Sequence, residues 1–332
     1  MGRAILDGNP ISYFPNGFPL LIAGIMLISA AYTPVIIVSL NIILQLAVMI
    51  LIEKMLTAFN VEKKVRLVIL FIISIYPHQV STVRFIMTES VSTFLILLTI
   101  FIYSNKRLIL SGILGYLSFA FRPTFLLATP LIIIYDLINK NKKRAAKTII
   151  GFIAGLLLFN SLEFYGIIAT PSSQNYNLLV AINANGYDIN YDLKNFTKEE
   201  LDNPVKTYFN FALKNPAEFV RQRLLSIWAL WGPIVPSKYG TIGMVLHSLR
   251  FPFFVLAACA FFFRNKIGYD KNFILLLSYP VISLTLIHFF FFSTQRHQAS
   301  VEPFVIFLSV LFLDYFIKLV KRRKIATTLI LL

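Results

Sequence analysis

The chain has 332 residues, 57% of them hydrophobic and only 14% charged, and its mean hydropathy of +0.74 exceeds what a water-soluble domain carries on its surface. Lipid is therefore the solvent for most of it, and long apolar runs point to helices, because barrel strands would show short segments of alternating polarity. The net charge of +16 would suggest nucleic acid in a soluble protein, but here Lys and Arg stand in short clusters between apolar runs, as in cytoplasmic loops, which argues against a nucleic-acid partner; the single cysteine, Cys259, rules out an intramolecular disulfide and a cysteine-based metal site.

The N-terminal stretch MGRAILDGNPISYFPNGFPLL lacks the basic start and immediate apolar core of a cleavable signal peptide, so insertion is expected to rely on the spans themselves. Membrane segments are expected near 17–31, 35–52, 65–77, 88–104, 108–121, 123–138, 148–165, 243–263, 273–293 and 301–319. This predicts an all-α polytopic membrane protein with about 9–11 membrane segments. Several runs are shorter than a full crossing, which suits broken or re-entrant helices around a polar interior. The last run, IATTLILL, is too short to span, so the chain is expected to end in mid-bundle or to be a fragment.

Charge then orders these segments. Basic clusters occur at Lys54, Lys63, Lys64 and Arg66, at Lys106 and Arg107, at Lys140 to Lys147, at Arg264, Lys266 and Lys271, and at Lys318 to Lys324. Walking through the spans puts every cluster on one side, the cytoplasmic one, in a multi-pass protein of the plasma membrane. The other side receives residues 77–88, the turn at Arg122 and Pro123, a polar region over 166–222, and residues 293–300. The chain divides accordingly into an N-terminal bundle (1–165), an exterior loop region with an interfacial helix (166–222) and C-terminal membrane helices (223–332). Within PAEFVRQRLLSIWALW, Trp228 and Trp231 are expected at headgroup level.

Charges near membrane depth each ask for a reason, because an ionised side chain there costs at least ~2.5 kcal/mol on insertion scales. Glu89 opens the span SVSTFLILLTIFIY, with Arg84 five residues before it; Arg122 interrupts GYLSFAFRPTFLLATP; and Arg296, His297 and Glu302 lie in STQRHQASVEPFVIF. Taken singly, the arginines read as interfacial anchors whose side chains snorkel to water, and Glu89 reads as a first-turn acid on a helix dipole. Taken together on the exterior side, they supply a carboxylate, guanidiniums and an imidazole, the set needed to hold an anionic headgroup and move a proton.

The segments YFPNGFPLL, YP followed by TES at the head of a span, GILGYLSFAFRPTFLL, NPAEFVRQRLLSIWALWG and RHQASVEPFVIFLSVLFL resemble, in that order, membrane glycosyltransferases of the GT-C superfold. The nearest group is the protein O-mannosyltransferase and aminoarabinose-transferase branch. The resemblance implies a GT-C-like helical bundle that takes a sugar from a polyprenyl-phosphate carrier and passes it to a lipid, glycan or protein acceptor at the exterior face. It implies a catalytic role for Glu89, which matches the acid of the family's second exterior loop. It also implies contacts from Arg122 and Arg296, with Arg84 and His297 beside them, to the carrier phosphate, and a possible divalent metal whose ligands the sequence does not identify. The chain departs from the family where the first span and the acidic first-loop motif should precede YFPNGFPLL; Asp7 is the only acid there. Two rival classes follow from the same residues: a non-catalytic or truncated homologue acting as a scaffold, and a polytopic lipid or sugar transporter, which would carry charges midway along its spans and show repeated halves.

Overall fold

The computed structural model describes residues 5–7, 17–82, 88–167, 173–185, 188–189, 193–233, 248–291 and 295–331; the side chains at 78, 81–82, 173–176, 185, 188–189, 295–296 and 323–331 are outside that description. In chain order the helices are α1 (Gly17–Ser29), α2 (Thr33–Ala58), α3 (Lys63–Ile75), the short α4 (Pro77–Thr82), α5 (Glu89–Ser104), α6 (Leu108–Phe121), a 3-10 turn (Pro123–Phe125), α7 (Ala128–Ile138) and α8 (Lys142–Phe164). After them come α9 (Ser173–Asn183), α10 (Lys198–Asp202), α11 (Pro204–Lys214), α12 (Pro216–Trp231), α13 (Arg250–Phe262), α14 (Lys271–Phe290), a 3-10 turn (Gln295–Gln298) and α15 (Glu302–Leu331). The one strand pairing among the described residues is a two-residue antiparallel ladder, β1 (Ala184–Asn185) on β2 (Asp188–Ile189).

Among the described residues, four helices are long and apolar enough to cross a bilayer, as in a helical membrane protein: α2, α8, α14 and the Glu302–Arg322 portion of α15. Helices α1, α5, α6 and α13 and the stretch Pro123–Ile138 are apolar but shorter. Every apolar run read from the sequence meets a helix, although residues 243–247 of the expected 243–263 segment and 292–293 of the expected 273–293 segment lie outside the described residues. IATTLILL is no separate element; up to Leu331 it continues α15 without a break, and Leu332 lies outside the described residues.

Lipid tails are as apolar as leucine, so helices in a membrane associate through close packing rather than through burial from water. The tightest approach is between α6 and α8. A Cβ added at Gly112 would collide with the Thr148 carbonyl, and one at Gly151 with the Ile109 carbonyl; Gly155, one turn on, lies against Tyr116. Gly151 and Gly155 are thus a small-xxx-small pair that lets two backbones touch. Elsewhere the interior is filled by large side chains, among them Ile52, Leu56, Ile69, Ile100, Phe273 and Phe307.

The basic clusters gather at one end of the bundle. There the Tyr103 hydroxyl donates to Asp136 Oδ1 (2.8 Å), Arg144 lies 3.4 Å from the same oxygen, and the Tyr135 hydroxyl donates to Asn272 (2.5 Å). Tyr269 donates to Asp314 (2.7 Å), and Lys318 pairs with Asp314 (2.8 Å) and with Glu62. These contacts tie together the α2–α3, α5–α6, α7–α8 and α13–α14 connections and α15. Three of the helices ending here close with a residue in left-handed conformation, Asn60 (φ 54°), Lys106 (φ 62°) and Lys140 (φ 59°), followed by the long return bonds Val61 N–H to Leu56, Arg107 N–H to Ile102 and Asn141 N–H to Asp136. Glycine usually takes that place.

The region 166–222 contains helices as well as turns, and α12 leads from it back onto the bundle. Trp231 differs from the sequence expectation. Its ring stacks on Phe254 (4.4 Å between centroids) and its Nε1 donates to Thr285 (3.1 Å), so it packs inward, and only Trp228 is turned outward. The helix period does not account for this, because residues three apart share a face; the partners on α13 and α14, Phe254 and Thr285, hold the Trp231 ring inward.

Candidate functional site

The site lies at the end of the bundle opposite the basic clusters, and it begins with a broken helix. Proline disfavours helical geometry in the residue before it, so α6 stops at Phe121 and Arg122 is extended (φ −148°, ψ 107°). The break is held from α14. Ser283 Oγ donates to the Thr124 carbonyl (2.7 Å) and accepts from the Leu127 amide (3.2 Å). Released from the helix, Arg122 reaches across to the head of α5, where its Nη1 lies 3.1 Å from Glu89 Oε1 and 3.4 Å from Thr88 Oγ1. Its Nη2 donates to the His297 carbonyl (2.9 Å). Glu89 is 6% and Arg122 7% exposed, so this is a buried ion pair. Arg122 Nε has no hydrogen-bond partner among the described residues.

The 3-10 turn Gln295–Gln298 and the start of α15 form the other wall. Gln79, on α4, donates to the Ala299 carbonyl (2.6 Å) and to Glu302 Oε2 (3.2 Å). Thr93 donates to the Ser300 carbonyl (3.1 Å). The His297 ring stacks on His288 of α14, with centroids 4.5 Å apart and planes 19° from parallel. Arg250, the first residue of α13, is buried and, with Glu302, is near enough to act electrostatically on the Tyr76 phenol.

Beside this wall, α12 supplies Arg223, which is 0% exposed. No carboxylate pairs with it among the described residues. Its Nη1 donates to the carbonyls of Phe290 (2.7 Å) and Phe291 (3.3 Å), and its Nη2 to that of Ala181 (2.5 Å), while Phe219 and Tyr208 face the guanidinium. These carbonyls belong to the last turns of α14 and α9, where helix oxygens lack intrahelical partners and the helix dipole is negative. Two helix ends thus serve as the counter-charge of the arginine.

The structure therefore brings Glu89, Arg122 and the backbone of His297 together. Arg84 lies outside the described residues, and Arg296 belongs to the 3-10 turn through its backbone while its side chain lies outside them. Comparison of the chain with protein-family models, with curated proteins and with solved structures gives no match. The site is read from its own chemistry. Among the described residues its buried Arg and Glu side chains are Arg122, Arg223 and Arg250, and Glu89 and Glu302; Glu89 faces Arg122, and two helix ends face Arg223. Among the described residues no three of His, Cys, Asp and Glu come together as metal ligands would, and Glu89, engaged by Arg122, is the one carboxylate in the assigned set.

Sequence reasoning missed Gln79, Thr93, His288, Arg223 and Arg250. His288, the one ionisable residue in LTLIHFFFF, and Arg250, at the head of RFPFFVL, carried a signal of the kind that drew attention to Arg122. Gln79, Thr93 and Arg223 carried none, because they bind main-chain carbonyls, which have no sequence signature.

Proposed function

We propose that this chain is a GT-C-type membrane glycosyltransferase that moves a sugar from a polyprenyl-phosphate carrier to a lipid, glycan or protein acceptor, in a multi-pass plasma-membrane bundle of about 9–11 segments whose Glu89–Arg122 end faces the exterior. The observation that carries the reading is the buried pairing of Glu89 with Arg122 (3.1 Å), one guanidinium nitrogen uncommitted, at the end away from the basic clusters. A hydroxyl or amine of the acceptor attacks the anomeric carbon, the bond from that carbon to the carrier phosphate breaks, the phosphate leaves with the electron pair, and the proton of the attacking atom passes to the departing phosphate or to water. Arg122, with Arg84, Arg296 and His297 in the set the resemblance implies, offsets the charge that builds on the leaving group. Glu89 orients the acceptor or a divalent metal. In the resting chain Glu89 occupies Arg122, so carrier phosphate and carboxylate share one guanidinium in the loaded state.

The test is sugar transfer by the chain in membranes supplied with polyprenyl-phosphate sugars, with folding verified by thermal stability in detergent. Glu89→Gln keeps the shape and a hydrogen bond to Arg122 but removes the charge, so transfer should fall by orders of magnitude. Arg122→Lys should weaken donor use, because an ammonium lacks the planar fork. Native transfer rates in a folded Glu89→Gln variant would make Glu89 a purely structural partner of Arg122 and overturn the catalytic assignment.

A further inference from the structure

Helices α11 and α12 lie outside the apolar helices of the bundle, and each turns a regular apolar row away from the protein. On α11 the row is Val205, Phe209 and Leu213, the last two 61% and 79% exposed. On α12 it is Val220, Leu224 and Trp228, with Leu224 60% exposed. Residues four apart stack along one helix face, so these are continuous stripes rather than scattered side chains. The opposite faces are committed to the protein: Tyr208 is buried and donates to the Phe290 carbonyl (2.5 Å), and α12 buries Gln222, Arg223, Ser226, Ala229 and Leu230.

We propose that α11 and α12 form a membrane seat at the Glu89–Arg122 end, α11 lying on the leaflet and α12 slanting into it along α14, with both stripes sunk among the acyl chains. This rests on the membrane placement of the bundle and not on sugar transfer. The occupant follows from continuity. Arg223 meets α14 at its last residue, Phe290, and Trp231 meets it further in, at Thr285, so α12 descends along α14 toward the bundle interior. Its outward Trp228 lies 6.0 Å from Phe251, in the first turn of α13, where the neighbouring Leu249 and Val255 are exposed as well. Among the described residues, the α12 stripe therefore runs onto the apolar outer surface of a bundle helix, which lipid covers. The flanks have the matching chemistry. Lys206, Asn210 and Lys214 form the next row on α11, placed to snorkel to headgroups. On α12, Arg221 is held in a bidentate pair by Glu218 (2.8 Å and 2.8 Å), which lowers the net charge brought to the surface.

The measurement is collisional accessibility of a nitroxide on the full chain in phosphatidylcholine–phosphatidylglycerol vesicles. Cys259, the only cysteine, is replaced by alanine, and single cysteines are placed at Leu213, at Leu224 and, as a control, at exposed Glu199. Labels at 213 and 224 should collide several-fold more with oxygen, which concentrates in acyl chains, than with a water-soluble nickel chelate, and the label at 199 should show the reverse. Nickel-dominated collisions at 213 and 224 would place the stripes in water. Exclusion of both reagents with spin–spin broadening would make the occupant a second copy of the chain. Either result overturns the proposal. The unsubstituted protein gives an independent reading through its two tryptophans: with Trp231 packed inward, lipids brominated on their acyl chains should quench the Trp228 emission, and emission quenched by iodide instead would refute the seat.

Discussion

Replacing Arg223 by methionine tests whether two helix ends can stand in for a carboxylate. Methionine keeps the length and the contact with Tyr208 and Phe219 but removes every donor. The Phe290 carbonyl retains the Tyr208 hydroxyl (2.5 Å), whereas those of Ala181 and Phe291 lose their Arg223 bonds. Leaving a buried acceptor unsatisfied costs about 1–3 kcal/mol, so two such losses sum to roughly 2–6 kcal/mol. Relief of the desolvation of the guanidinium works the other way, and a net loss of about 2–4 kcal/mol is expected. At roughly 2 °C per kcal/mol for a chain of this size, the midpoint in detergent should fall by about 4–8 °C, and amide exchange should accelerate first in α9, whose end is freed. Arg223→Lys should recover part of the loss, because one ammonium reaches one helix end but not both. An unchanged midpoint together with unchanged α9 protection in Arg223→Met would show that the buried charge costs as much as its bonds return, and would refute the reasoning.

Glu89→Gln and Arg122→Gln should each destabilise by about 3–5 kcal/mol, the cost of stranding one partner of a buried pair, and the double substitution should cost clearly less than the sum; additive losses in a thermal-unfolding cycle would deny the coupling. Gly151→Leu should separate α6 from α8 and lower the midpoint by more than the same change at Gly24, where an added Cβ meets nothing within 4 Å; equal shifts would contradict the close approach. Cysteine labelling from outside cells should modify a probe at Asn195 and spare one at Lys142, and the reverse pattern would turn the bundle over. At the head of α10, Thr197 caps Glu200 reciprocally and its backbone and hydroxyl bonds draw the Glu200 pKa below the ordinary carboxylate value. The cap therefore contributes above the usual carboxylate range and is lost as pH falls through the lowered folded value, so protection of 198–202 should fade on the acid side in the native protein and fade less in Thr197→Ala, which loses the hydroxyl bond but keeps the backbone one; identical acid-side profiles would deny the hydroxyl its share.

The helices were legible because their cause is local. Each apolar run from 17–31 to 301–319 needed only its own composition to declare a helix, and the RP dipeptide at 122 declared the break. The sorting of basic clusters to one end was legible for the same reason, since charge excludes those turns from lipid wherever the helices pack. What could not be read is pairing across distance. Nothing in TES and FRP says that Glu89 and Arg122 meet, thirty-three positions apart in sequence, and nothing in NPAEFVRQRLL marks Arg223 as buried, because its counter-charges are carbonyls at the ends of α9 and α14. Trp231 looked like an anchor because tryptophan favours interfaces; the partners that draw it inward, Phe254 and Thr285, lie on helices whose approach depends on the whole bundle.

Three of the bonds that grip the wall opposite Glu89 go to its main chain: Arg122 holds the oxygen of residue 297, Gln79 that of 299 and Thr93 that of 300. A carbonyl is the same whatever side chain its residue carries. These three bonds are therefore independent of the letters at 297, 299 and 300, and drift at 299 or 300 can retune what lines the site while keeping them, whereas drift at 79, 93 or 122, far away in the sequence, removes them.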